Sequence, residues 1–243
     1  MPDTVLEVAD ITAGYVPDLP ILREVSVRAE RGSVTVIIGP NGAGKSTLIK
    51  AIAGIVPVSS GQIRHESRDI THIRPDRMAA HSISYVPQTD NIFRSLTVRQ
   101  NLDLALRHEA AKAARFAQLL DQFPALADRL DDRAGALSGG QRQFLAVAMA
   151  LATGPDLILM DEPAAGLSPK AAHEVLGLAR SLTQTGVTIL LVEQNVNQAL
   201  RMADHCYILA EGRNQIDGSA AELLENQIVA DIYLGGKRLR AGA

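Results

Sequence analysis

Gly39-Pro40-Asn41-Gly42-Ala43-Gly44-Lys45-Ser46 spaces three glycines, a lysine and a hydroxyl in the way a polyphosphate-binding loop requires. Gly39, Gly42 and Gly44 let successive backbone N–H groups turn toward phosphate oxygens with no Cβ in the way. Lys45 supplies positive charge to the β and γ phosphates, Ser46 offers its hydroxyl to Mg²⁺, and Thr47 continues the segment into a helix whose dipole adds to the attraction. A second pair of groups stands far downstream. Asp161 and Glu162 end the apolar run Leu157 to Met160, which puts two adjacent carboxylates at the exposed tip of a buried strand, the edge where open α/β sheets bind ligands. Asp161 would hold Mg²⁺ through its hydration shell, and Glu162 would orient or deprotonate an attacking water. An isolated Asp-Glu at a strand end is ordinarily a solvated turn; a phosphate loop in the same chain reverses that reading.

Leu137-Ser138-Gly139-Gly140-Gln141 opens a helix. Ser138 with Gln141 three residues on forms a capping box, and Phe144, Val147, Ala148 and Leu151 give the helix one apolar face. Gly139 and Gly140 leave its N-terminus bare enough for an anion to approach. Taken alone, the pentapeptide is equally an ordinary capped helix. Beside a single phosphate loop, it suggests contact with the nucleotide of another subunit.

The elements that must position these groups follow from periodicity. Val5 to Ile11 and Ile21 to Val27 alternate as strands, with Gly14 and Pro17 at the turn between them. Val34 to Ile38 has no polar face, the pattern of a parallel strand covered on both sides, and a helix follows from about Gly44 to Gly54. Ile83 to Val86, Leu157 to Met160 and Thr188 to Val192 are further buried strands, each preceding a polar or catalytic-looking residue. Helices are predicted after Ser168, where Ser-Pro supplies the N-cap and first position, and around Val196 to Ala203. Strand signals vanish from about Ser95, and Thr97 with Gln100 makes another capping box. A helical subdomain spanning about residues 95–152 is therefore expected as an insertion in a single α/β domain covering residues 1–243. Short strands at Cys206 to Leu209 and Asn214 to Asp217, then a last helix, complete the chain.

Composition narrows the function classes. The 243 residues are 47 % apolar and 21 % charged, ordinary for a folded globular chain, and the net charge of −3 argues against a duplex-binding surface. No nucleic-acid partner is expected. Cys206 is the only cysteine, so no intrachain disulfide can form, and it reads as a small buried residue beside a strand. The six histidines are too scattered in sequence for a metal site. Met1-Pro2-Asp3-Thr4 lacks the pattern of a signal peptide, and no apolar run is long enough to cross a bilayer, so membrane work would require partner subunits. The basic stretch Lys237-Arg238-Leu239-Arg240 reads as a solvated tail, contact with lipid headgroups being the alternative.

With these motifs in view, the chain resembles the ATP-binding subunit of ABC transporters over essentially its whole length, Leu137 to Gln141 being the family signature. The resemblance implies a P-loop NTPase core with an antiparallel β subdomain and an inserted α-helical subdomain. It implies that Tyr15 stacks on adenine, the alternative being a buried tyrosine at a strand end. It further implies that Gln88 touches Mg²⁺ or the attacking water and links the site to a transmembrane partner. Two subunits would pair head to tail, Ser138, Gly139, Gly140 and Gln141 of one closing on the ATP of the other. Two positions depart from the common pattern: Ser168 stands where aspartate is usual, and Gln194 where a histidine usually contacts the γ-phosphate. Gln194 can donate a hydrogen bond but cannot hold charge. Either hydrolysis is slow, or this branch uses glutamine, the reading favoured here. Val192-Glu193-Gln194-Asn195, Tyr85-Val86-Pro87-Gln88, Ile92-Phe93 with Leu96-Thr97-Val98, and Tyr233-Leu234-Gly235-Gly236 are similar to the LivF-type subunit of branched-chain amino acid importers, a group that also carries urea or short amides. That resemblance implies transmembrane permease subunits, a second, similar but non-identical ATPase subunit with a homodimer as the alternative, an indirect solute-binding protein, and a place on the cytoplasmic face of the plasma membrane. A soluble ATPase of the same superfamily, or an ATP-gated clamp that barely hydrolyses, are the other readings.

Overall fold

The computed structural model describes residues 3–226. Strand β1 (Thr4–Ala13) pairs antiparallel with β2 (Leu22–Glu30), and the chain then enters the apolar β3 (Val34–Ile38) and, after the glycine loop, α1 (Lys45–Ile52). A hairpin, β4 (Val58–His65) and β5 (Arg68–Asp69), returns to β1 and completes an antiparallel sheet in the order β2-β1-β4-β5. This hairpin carries no strand signal in sequence. Only Val58, Ile63 and His65 of β4 are buried, and Gly61, at φ +86, interrupts the alternation beside the backbone of Asp10. The expected antiparallel subdomain is therefore present, but half of its strands come from residues whose polarity hides them.

A 3₁₀ turn at Pro75–His81 leads to β6 (Ile83–Val86). Helices α2 (Val98–Ala105), α3 (Lys112–Gln122), α4 (Pro124–Ala127) and α5 (Gly139–Leu151) follow, with no strand among them before β7 (Leu157–Asp161). The remainder alternates: α6 (Pro169–Leu182), β8 (Thr188–Val192), α7 (Val196–Met202), the hairpin β9 (His205–Ala210) and β10 (Arg213–Ser219), and α8 (Ala220–Glu225). The Tyr233 to Gly236 ending, the Lys237 to Arg240 stretch and Met1-Pro2 lie outside the described residues.

The six-stranded sheet runs β10-β9-β3-β8-β7-β6, parallel from β9 through β6, with β10 antiparallel at its edge. Its central strands bury both faces, which explains their unbroken apolar runs. Val34, Val36, Ile38, Ile158, Met160, Ile189 and Leu191 face a core closed by α2 and α5–α8, whereas Ile37, Leu157, Leu159, Leu190 and Val192 face a second core shared with α1 and the antiparallel sheet. Cys206 is fully buried in β9, and burial pushes its thiol up to about 12, as expected of a packing residue.

Capping fixes the helices that border the site. Ser138 and Thr97 each form the expected capping box, with Gln141 and Gln100. Ser168 caps α6 through the Ala171 N–H with Pro169 in the first turn, a sufficient structural reason for serine at that position.

Candidate functional site

Four loops leave the carboxyl ends of β3, β6, β7 and β8 and meet, because parallel strands point all their C-termini to one edge. The loop after β3 folds residues 41–47 around an open cavity, with Ile21 on one side and Glu162 on another. Gly39 has no substitute there. A Cβ on it would lie 2.1 Å from the Leu209 carbonyl oxygen. Gly44 enters α1 at φ +97, which strains any side chain, and a Cβ there would come within 2.7 Å of the Leu22 side-chain tip and force it to shift. Lys45 reaches back over the loop: its ammonium donates to the carbonyls of Gly39 at 2.9 Å and Pro40 at 3.1 Å. Burial pulls the Lys45 ammonium below the usual lysine range, and Glu162, Asp161 and Glu193 pull it back up.

Asp161 and Glu162 are not exposed at a strand tip as the sequence suggests. Both are nearly buried, at 2 % and 6 % exposure, and Asp161 is the last residue of β7 rather than beyond it. The loops around them cover the tip, and Glu162 borders both the glycine-loop cavity and a second cavity lined by Ala164, Glu193 and Gln194. Ser46 donates its hydroxyl to Asp161 at 2.8 Å, and the Tyr85 hydroxyl approaches the other Asp161 oxygen at 3.4 Å. Burial, with Asp161 close by, pushes the Tyr85 phenol far above its ordinary value, so it acts only as a neutral donor.

Glu162 adopts a left-handed backbone at φ +47, a conformation that costs a non-glycine residue free energy and is held by the Glu162 N–H bond to Val192 at 3.1 Å. Two amides converge on one of its oxygens. Gln88 Nε2 donates to Glu162 Oε2 at 2.8 Å and Gln194 Nε2 donates to the same oxygen at 2.7 Å. The structure thus brings Lys45, Ser46, Gln88, Asp161, Glu162 and Gln194 to one edge, with Gln194 bonded to Glu162 through its neutral amide.

Tyr15 is 53 % exposed, which removes the buried-tyrosine alternative, and Val16 and Leu19 are exposed beside it. Ser138, Gly139, Gly140 and Gln141 do not reach the glycine-loop cavity. Gly139 and Gly140 lie against the entry to α6, where their Cβ positions approach Leu167 in the preceding loop and Ala171 in the first turn.

Two residues of consequence escaped the sequence reading. Asn101, with no exposed surface, binds both backbone groups of Phe93 and the Thr97 carbonyl, and so fixes the loop that follows Gln88. Its position inside a helix looks unremarkable in sequence. Glu193 is 3 % exposed, and its carboxylate accepts from the Ala164 and Gln194 backbone N–H groups at 3.1 and 3.3 Å. Only its place directly after a buried strand could have hinted at this.

Burial pushes the Glu193 carboxyl from 4.5 up to about 7, against the two backbone donors that favour its ionised form. Because the folded pKa is raised, the stabilisation from a neutral Glu193 is fully present below the unfolded value of 4.5 and is lost as pH rises through about 7. Relative to Glu193→Gln, whose side chain stays neutral, the wild-type chain is expected to lose roughly 3 kcal/mol between about pH 4 and pH 8. Urea unfolding of both proteins across that range measures the difference; a gap that stays constant with pH would show that Glu193 titrates normally.

A family model described as ABC transporter matches residues 22–165. The chain belongs to the ABC transporter family. It is 42 % identical to the probable branched-chain amino acid transport ATP-binding protein LivF of Archaeoglobus fulgidus, over 95 % of this chain and 98 % of that one. Identity is 38 % to the high-affinity branched-chain amino acid transport ATP-binding protein BraG of Pseudomonas aeruginosa, over 93 % and 98 %. The lipopolysaccharide export system ATP-binding protein LptB of Escherichia coli matches at 33 %, over 88 % and 91 %. Among solved structures, a nucleotide-free ATP-binding cassette from an ABC transporter superposes with a TM-score of 0.84 at 29 % identity, covering 95 % of this chain and 98 % of that one. An ADP conformation of another such cassette gives 0.82 at 30 %, covering 96 % and 99 %. The ABC ATPase fold expected from the motifs is the fold observed.

Proposed function

We propose that this ABC-family chain binds and hydrolyses ATP to drive uptake of branched-chain amino acids, or a related small solute such as urea or a short amide, through partner transmembrane subunits. The observation that carries the hydrolytic part is the convergence of Gln88 and Gln194 on one oxygen of Glu162 at the wall of the glycine-loop cavity. A carboxylate held by two neutral donors is fixed in place yet keeps its second oxygen for a water. Glu162 then orients that water, or takes its proton, as it attacks the γ-phosphorus and ADP leaves.

The remaining roles follow from charge and reach. Residues 39–47 present backbone N–H groups and the Lys45 ammonium to the phosphates, and the exposed Tyr15 offers a ring face to adenine. Ser46, Asp161 and the side-chain carbonyl of Gln88 are hard oxygen donors, the set a Mg²⁺ ion takes, and the Ser46–Asp161 bond of 2.8 Å already holds two of them together. Mg²⁺ bound there supplies positive charge to the phosphate oxygens as negative charge moves toward the leaving group. Ser138 to Gln141, turned away from this cavity, supply the N-terminus of α5 to the nucleotide of a second, similar subunit.

The import reading rests on the two branched-chain amino acid relatives, whose identities of 42 % and 38 % exceed the 33 % of the export ATPase. Among the described residues no helix is long and apolar enough to cross a membrane, so attachment to the cytoplasmic face falls to the permease subunits. Affinity purification of the full chain from membranes of its own host is expected to recover a multi-spanning protein and a second ATPase. The recovered complex, in vesicles with its solute-binding protein, is expected to hydrolyse ATP faster when leucine, isoleucine or valine is added. Recovery of no transmembrane protein would end the transport reading, and stimulation by urea alone would move the solute class.

A further inference from the structure

We infer that Glu193 is a positioning residue for hydrolysis, a brace whose side chain ties the turn after Glu162 to the segment that carries Gln194. Three segments of the site meet on this one residue. Its Oε1 accepts the Ala164 N–H at 3.1 Å, its Oε2 accepts the Gln194 N–H at 3.3 Å, and its own N–H donates to the carbonyl of Ile37, on the strand that runs into Gly39, at 3.1 Å. Pro163 has no N–H, so Ala164 offers the first backbone donor after Glu162, and Glu193 takes it.

The need for such a brace is visible in Glu162 itself. A non-glycine residue at φ +47 persists only where its surroundings fix it. On its N-terminal side the Glu162 N–H is bound to Val192; on its C-terminal side the Ala165 N–H closes the turn onto the Glu162 carbonyl at 3.1 Å, and Ala164 anchors that turn to Glu193. The same carboxyl group also orders the backbone from which Gln194 reaches Glu162 at 2.7 Å. Burying a carboxyl group is costly unless its oxygens are hydrogen-bonded, and here both are, to two different segments. Glu193 does not line the glycine-loop cavity; its hydrogen bonds go to the segments that carry Glu162 and Gln194, and its field reaches Lys45.

This inference rests on Glu162 being the hydrolytic carboxylate, and its test separates the two. The full chain is prepared as wild type, E193A, E193Q and E193D; Mg-ATP hydrolysis is measured alongside hydrogen exchange at the Ala164 amide. E193A is expected to lower kcat about ten-fold with KM for ATP changed by less than about two-fold, because positioning fails while binding survives. E193Q keeps one acceptor oxygen, which holds the shorter Ala164 tie and gives up the longer one from the Gln194 N–H, and is expected to recover at least about half of the wild-type kcat. E193D keeps the charge but is one methylene short of Ala164, and is expected to match E193A; it takes the place of E193A should that variant not fold. Exchange at Ala164 is expected to quicken about ten-fold in E193A and E193D. Wild-type kcat in both short variants, or an E193Q as impaired as E193A, would overturn the brace. If no protein in the series hydrolyses ATP even when assembled with the partner subunits recovered from membranes, the reading of Glu162 fails, and Ala164 exchange that stays at the wild-type rate would overturn the brace on its own.

Discussion

Replacing Lys45 by alanine is expected to weaken ATP binding about 100-fold, the loss of one buried charge-assisted contact to phosphate. The reason lies in the charge balance around the cavity. Asp161, Glu162 and Glu193 are the groups whose fields act on Lys45, so three carboxyl groups surround one ammonium where a polyanion must bind. Its position is prepared by the Gly39 and Pro40 carbonyls, which hold the ammonium over the loop at 2.9 and 3.1 Å before any phosphate arrives. Calorimetric titration of wild-type and Lys45→Ala protein with ATP and Mg²⁺ measures the difference. A control melt separates loss of affinity from loss of fold, since the two freed carbonyls can turn to water in the opened cavity.

Glu162→Gln is expected to act on the other half of the reaction, lowering hydrolysis by about 100- to 1000-fold while leaving ATP bound. The substitution keeps the shape of the side chain, and its amide oxygen can still accept from Gln88 and Gln194, which now donate at 2.8 and 2.7 Å. What it removes is the ability to take a proton from water. It also removes a negative charge from the wall of the nucleotide cavity, so ATP affinity is expected to hold or rise. Lys45→Ala and Glu162→Gln therefore move affinity and turnover separately, which a general loss of structure would not do.

The sequence carried the framework of this site because its framework is local. A phosphate loop is a contiguous run, and buried parallel strands announce themselves by apolar residues on both faces, as in Val34–Ile38 and Thr188–Val192. Capping boxes at Thr97 and Ser138 are likewise local and were legible. What stayed hidden depends on contacts across the fold. The β4 strand, four of whose residues are exposed in a row, earns its place only by pairing with β1. Asp161 and Glu162 looked exposed because the loops that cover them come from distant parts of the chain. Glu193 read as one more polar residue after a strand, since its function lies in Ala164, across from it on another loop. Gln194 read as the residue this branch uses in place of the histidine the resemblance implies, with nothing in the sequence to say what it binds. Its bond to Glu162 gives it a role that a neutral amide fills well.

Hydrolysis at this site depends on Glu162 as the group that activates water. Phosphate release from saturating Mg-ATP, followed side by side for the wild-type chain and Glu162→Gln with bound ATP quantified in both, tests this most directly. The expected result is steady release by the wild type, release lowered at least about 100-fold in the variant, and ATP retained by both proteins. Equal release from the two proteins, with ATP bound to each, would contradict the account.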